Sequence, residues 1–124
     1  MATANPVIPK LLALDGCVGC CLVEAATGTL LGAAGGDGFD LAAAAARCTE
    51  AVRVQRRTLG ALELPDRLED ILFTLGRQYH LIRPLARDDA RLLYVVLDKA
   101  KANLALARHQ LTAIERELTA TASP

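Results

Sequence analysis

The order of apolar and polar residues predicts a chain that alternates helices with strand hairpins. A short helix is predicted before Gly16, because glycine readily adopts the left-handed conformation that ends many helices. Residues 17–24 are almost all apolar, which is typical of a strand covered on both faces. A turn ending at Gly28 and a return strand over 29–33 complete the first hairpin.

A long helix is predicted over residues 41–62. Asp40 precedes it and is a residue type that commonly caps helix N-termini. Apolar residues then recur at steps of three, four or seven, as expected for one buried side of a helix. This side comprises Leu41, Ala45, Cys48, Val52, Leu59 and Leu62.

The second half predicts three strands and a final helix. Strands are expected over 67–75, 78–85 and 92–97, the first two forming a hairpin. The last strand is wholly apolar and should lie in the centre of the sheet beside the first. Asp98 is expected to cap the final helix, whose apolar stripe comprises Ala100, Leu104, Ala107, Leu111, Ile114 and Leu118.

This order of elements, αββαβββα, predicts an α+β fold. Consecutive hairpins favour an antiparallel sheet, and two fully apolar strands require helices on both of its faces. The length of 124 residues predicts a single domain over 1–124, with an ordered core at about 6–118.

Composition and charge narrow the classes of function. Hydrophobic residues form 52% of the chain, aromatic residues 3%, and the net charge is zero. The neutral charge and the few aromatic rings argue against a nucleic-acid partner. No apolar run is long enough to span a bilayer, so no membrane insertion and a cytoplasmic location are predicted.

The long helix has two unusual sides outside its apolar one. Residues 42–46 are five consecutive alanines, which would let another helix approach closely. Further along, the outside of the helix carries four basic residues but a single acidic one, Glu50. The basic residues are Arg47, Arg53, Arg56 and Arg57. Two interpretations remain open: a solvated basic face, or a helix packed on a symmetry mate with arginines that meet an acidic partner.

The four cysteines are Cys17, Cys20, Cys21 and Cys48. In a regular strand, residues three apart point to opposite faces, so Cys17 and Cys20 should face away from each other. Small buried hydrophobic residues are therefore the favoured interpretation. A thiol redox or metal site built from Cys17, Cys20 and Cys48 is the alternative; no cofactor or metal site is predicted.

No catalytic set is apparent in the sequence. The only serine is Ser123, and the adjacent Glu69 and Asp70 would point to opposite faces of a strand. His80 is interpreted as a packed or hydrogen-bonded strand residue and His109 as an exposed one. The chain is therefore predicted not to be an enzyme.

Several segments, taken in order, resemble those of a known family. They are LDGCVG at 14–19, the Thr27-Gly28 turn, DRLEDIL at 66–72, LGRQYHLIRP at 75–84 and LDKAKANLA at 97–105. Over roughly residues 8–118 the chain resembles the Roadblock/dynein light-chain family, in its prokaryotic, actinobacterial branch. Three cysteines in the first strand depart from the family pattern.

The resemblance implies a profilin-like Roadblock fold, with a five-stranded antiparallel sheet between one long helix and two others. It implies a homodimer that joins third strands edge to edge and sets the long helices side by side. The interface residues would be Ala43, Ala44, Arg47, Ala51, Glu69, Ile71 and Phe73.

The resemblance also implies a non-catalytic regulator or scaffold that binds a small Ras-like GTPase. The candidate GTPase-facing residues are Arg47, Glu50, Arg53, Arg56 and Arg57. No catalytic residue is carried over, because the family is thought to act by reshaping the GTPase. A structural dimer without GTPase binding is the alternative.

Overall fold

A computed structural model describes residues 6–38 and 40–122, with side chains described as far as residue 118. The element order within these residues is the predicted αββαβββα. The elements are α1 (Val7–Leu12), β1 (Cys17–Glu24), β2 (Leu30–Gly35), α2 (Leu41–Ala61), β3 (Ile71–Thr74), β4 (Gln78–Pro84), β5 (Arg91–Asp98) and α3 (Leu104–Ala122).

The described strands form one antiparallel sheet with the order β2-β1-β5-β4-β3. The two fully apolar strands, β1 and β5, are neighbours in its middle, where Cys20 pairs with Val95. This confirms the prediction that they are the central pair. The edges are β2 and β3, so β3 has β4 as its single neighbour among the described strands.

Each face of the sheet is covered by helices. Leu11 of α1 and Leu111 of α3 pack with Val95 on one face. Val52 of α2 packs with Tyr94 and Val96 on the other face. The five-stranded antiparallel sheet therefore lies between one long helix and two others, as predicted.

The long helix begins where its cap residue predicts. The Asp40 side chain accepts a hydrogen bond from the backbone N–H of Ala43 at 3.1 Å, which satisfies one donor of the first turn. The helix ends at Ala61, one residue earlier than predicted. Leu62 was predicted to belong to the buried side, but it follows the helix and is 62% exposed.

The third strand is shorter than predicted. It begins at Ile71 instead of residue 67, so Glu69 precedes the strand. Phe73 pairs with His80, and continuing this register would place Glu69 opposite Pro84. Because proline has no backbone N–H to donate, the ladder ends there.

The last helix starts later than predicted. Asp98 does not cap it; its side chain accepts from the N–H of Ala100 and closes a turn. Asn103 is the actual cap, since its side-chain oxygen accepts from the N–H of Leu106 at 3.0 Å. Ala100 consequently lies in a turn and is exposed.

Ion pairs fasten α3 to the rest of the fold, among them an exposed one between Lys10 of α1 and Glu117. Arg83 of β4 meets Glu115 at 2.8 Å, and their side chains are 17% and 8% exposed. The second oxygen of Glu115 accepts from the N–H of Ala86 at 2.7 Å. Asp70, just before β3, accepts two hydrogen bonds from Arg108, each 3.1 Å long.

Long apolar helices of the kind that cross a bilayer are absent from the described residues.

Candidate functional site

A groove of about 430 Å³ runs between α2 and the outer half of the sheet. We call it the α2–β3 groove. Four of the seven residues expected at a dimer interface meet in it: Ala44, Arg47 and Ala51 on the helix, and Phe73 on the edge strand. The other lining residues are Cys48, Gln78, His80, Ile82 and Tyr94.

The groove opens at an unpaired strand edge. Phe73 is 44% exposed, although it lies beside an apolar groove. Since an exposed apolar edge strand readily pairs with another chain, proteins usually cover it. The small alanine side chains of α2 leave room for a bulky group next to Phe73.

The floor of the groove carries a hydrogen-bonded row of polar side chains. His80 Nε2 lies 2.9 Å from the Gln78 side-chain oxygen, and His80 Nδ1 lies 2.9 Å from the Tyr94 hydroxyl. Because the amide oxygen can only accept, Nε2 carries the proton and Nδ1 accepts from Tyr94. Burial lowers the pKa of His80 and raises the pKa of Tyr94. The neutral forms of both side chains therefore fit this row.

The other three predicted interface residues lie outside the groove lining. Ala43 is exposed on α2. Ile71 packs against the core beneath α2. Glu69 is exposed ahead of β3 and lies 4.0 Å from Arg67. The strand that was predicted to carry Glu69 into an edge pairing does not reach it.

The opposite flank of α2 carries arginines. Arg53 and Arg56 line a cavity of about 360 Å³ between α2 and the turns that follow β1 and precede β5. Arg56 is half-buried and donates to the carbonyl oxygen of Asp89 at 3.1 Å. Arg57 is exposed one residue further. Neither Arg53 nor Arg57 has an ion-pair partner within the described part of the chain.

The two remaining GTPase-facing candidates lie apart from this flank. Arg47 lines the α2–β3 groove and pairs with Glu50 at 3.2 Å. Both side chains are more than half exposed, and an ion pair of this kind adds at most about 1 kcal/mol. The structure therefore divides the predicted arginine face between two sides of one helix.

The cysteines are arranged differently from the expectation. Cys17 and Cys20 both pack on the α1 and α3 face, whereas Cys21 and Cys48 lie on the α2 face. The prediction that Cys17 and Cys20 face away from each other is wrong, because β1 is irregular between Cys17 and Gly19. The predicted alternative site of Cys17, Cys20 and Cys48 is not assembled, since the sheet separates Cys48 from the other two.

The remaining residues that could bind a metal or act in catalysis are either hydrogen-bonded within the fold or exposed. Within residues 6–38 and 40–118, His, Cys, Asp and Glu side chains nowhere form a group of three or more suited to a metal ion. Asp88 accepts from Arg91 at 2.6 Å and from the N–H of Ala90, which shapes the turn before β5. His109 is exposed on α3, as predicted. Ser123 lies outside the described residues.

The α2–β3 groove includes three residues that were not predicted to belong to a functional surface: Gln78, His80 and Tyr94. One signal was present in the sequence: Gln78, His80 and Ile82 alternate along β4 and so share a face. That Tyr94 of β5 joins them depends on the pairing of β4 with β5, which places Ile82 opposite Tyr94.

Comparison with solved structures shows that the fold is the one found in Roadblock domains. No known family model matches the chain, and no curated protein is detectably similar to it in sequence. Among solved structures, the Roadblock/LC7 domain from Streptomyces avermitilis superimposes with a TM-score of 0.83 at 10% identity, over 97% of this chain and 98% of that one. Myxococcus xanthus MglB gives 0.83 at 17% identity, over 98% and 92%. An MglB with a tetrameric arrangement gives 0.77 at 16% identity, over 95% and 90%.

Proposed function

We propose that the chain is a Roadblock-family homodimer that regulates or positions a small Ras-like GTPase without catalysing a reaction itself. One observation carries the proposal: α2 has an apolar groove and an open strand edge on one flank, and arginines without ion-pair partners on the other. The sequence resemblance and the Roadblock fold support the choice of partner.

The first step of the proposal is that a second copy of the chain covers the α2–β3 groove. A two-fold axis beside β3 would pair the two edge strands and bring the alanine sides of the two α2 helices together. Phe73 of each copy would then lose its exposure to water. The tetrameric arrangement of a structurally similar MglB supports self-association of this fold.

The second step is that the arginine flank binds the GTPase. Arg53 and Arg56 line a different cavity from the one that the dimer would cover. The dimer therefore leaves them open to a partner. Guanidinium groups form paired hydrogen bonds with carboxylates, so an acidic surface of the GTPase is the expected contact.

Binding to purified small Ras-like GTPases of the source organism, loaded with GDP or with a GTP analogue, tests the proposal. We expect a saturable complex in at least one nucleotide state. The double substitution Arg53→Glu, Arg57→Glu should weaken it by at least tenfold. The control Arg77→Glu, Lys101→Glu changes the same number of charges at exposed positions outside α2 and should bind normally.

Three outcomes separate the candidate functions. Binding that depends on Arg53 and Arg57 supports the GTPase partner. A stable dimer that binds no GTPase in either state, and does not change its hydrolysis rate, favours the structural dimer instead. A monomer at micromolar concentration contradicts both.

A further inference from the structure

The irregularity at the start of β1 brings two thiols to the same face of the sheet. Cys17 pairs with Leu97 and Gly19 with Val96, so one extra residue, Val18, is inserted in β1. Such a bulge shifts the alternation of side chains by one residue. Cys17 and Cys20 consequently both point toward α1 and α3.

The two thiols differ in their access to water. Cys17 is partly exposed, and its thiol lies 3.5 Å from the carbonyl oxygen of Gly19. Cys20 is fully buried, and its thiol lies 3.8 Å from the carbonyl oxygen of Ile8 in α1. An interaction with the Cys20 thiol lowers the pKa of Cys17 despite its partial burial, and the interaction with Cys17 raises the pKa of Cys20.

An accessible thiol beside a buried second thiol is the arrangement found in redox-sensing proteins. We propose that Cys17 and Cys20 form an oxidisable pair, in which Cys17 reacts with hydrogen peroxide and Cys20 resolves the product to a disulfide. This site is independent of the proposed GTPase partner.

The reaction has two steps. The Cys17 thiolate attacks one peroxide oxygen; the S–O bond forms, the O–O bond breaks, and the hydroxide that leaves takes up the thiol proton as water. The Cys20 sulfur then attacks the Cys17 sulfenic acid; the S–S bond forms, the S–O bond breaks, and the hydroxyl leaves with the Cys20 proton as a second water. The thiol pair loses two electrons and the peroxide gains them.

The other two cysteines should not react. Cys21 and Cys48 are buried on the α2 face, and burial raises the pKa of each thiol to about 12. Peroxide has little access to these two thiols, since Cys21 is fully buried and Cys48 is 5% exposed, whereas Cys17 is partly exposed. The face that carries Cys17 lies across the sheet from the α2–β3 groove. A dimer formed through that groove would therefore leave Cys17 accessible.

Intact-mass spectrometry of the full chain after hydrogen peroxide treatment tests the proposal. We expect the loss of two hydrogen masses, its reversal by dithiothreitol, and a peptide map that joins Cys17 to Cys20. Cys17→Ser should abolish the change. Cys20→Ser should stop at a sulfenic acid on Cys17, which dimedone traps. Cys48→Ser is the matched control and should behave like the unmodified chain.

Three results would overturn the proposal. One is oxidation of Cys21 or Cys48 before Cys17. Another is a disulfide that persists in Cys17→Ser. The third is dimedone labelling of Cys17 with Cys20 present and no disulfide, because the bulge would then hold the two sulfurs in a geometry that cannot close. Circular dichroism of each variant identifies any that fails to fold. If Cys17→Ser fails to fold, Cys17 can instead be alkylated in the unsubstituted chain before peroxide treatment. The alkylated chain should form no disulfide.

Discussion

Phe73→Asp should dissociate the proposed dimer, and the size of the effect follows from the exposure of one ring. Phe73 is 44% exposed in the single chain. For a side chain of about 200 Å², this leaves about 90 Å² to be covered by a partner. At about 25 cal/mol per Å², the burial is worth about 2 kcal/mol per copy. A two-fold interface contains the residue twice, so the dimer should lose about 4 kcal/mol, or roughly a thousandfold in its dissociation constant.

Sedimentation velocity over a range of concentrations measures this change. The matched control is Leu31→Asp, since Leu31 is 37% exposed on β2, at the opposite edge of the sheet. It should leave the dissociation constant within threefold of the unsubstituted value. Thermal melting checks that both variants fold. A dimer that Phe73→Asp weakens by less than tenfold would refute the assignment of the interface to this edge.

The remaining predictions concern stability and pH. Glu115→Gln removes the charge that compensates Arg83 and should lower the free energy of unfolding by about 3 kcal/mol in urea denaturation, because a buried charge loses its partner; a change under 0.5 kcal/mol would contradict this. Burial lowers the pKa of His80 in the fold, so its unfolded form binds protons first and stability should fall as the pH drops below about 6.5. His80→Gln should flatten this pH dependence in denaturation curves, whereas the exposed-site control His109→Gln should not; equal slopes in both would rule out His80 as the source. Asp40→Ala should cost about 1 kcal/mol through the lost helix cap, and an unchanged melting curve would count against that role.

Much of the fold could be predicted from local patterns. The apolar run at residues 17–24 predicts β1, and Asp40 predicts the start of α2. Both depend only on residues that are close in the sequence, and both predictions are confirmed. The start of β3 could not be predicted in this way. It depends on Pro84, which lies on another strand and ends the ladder.

The candidate surface was predictable only in part. The alanine run indicated a close contact on α2, and Ala44 and Ala51 do line the α2–β3 groove. The placement of His80 against Tyr94 required the register between β4 and β5, which no local pattern encodes. The meeting of Cys17 with Cys20 likewise depends on a bulge.

Native mass spectrometry of this chain mixed with a small Ras-like GTPase, loaded with GDP or with a GTP analogue, tests the central claim most directly. The account predicts a complex that contains two copies of the unsubstituted chain. It predicts complexes with a single copy for the Phe73→Asp variant, whose arginine flank is unchanged. A complex that contains a single copy of the unsubstituted chain, or no complex in either nucleotide state, would contradict it.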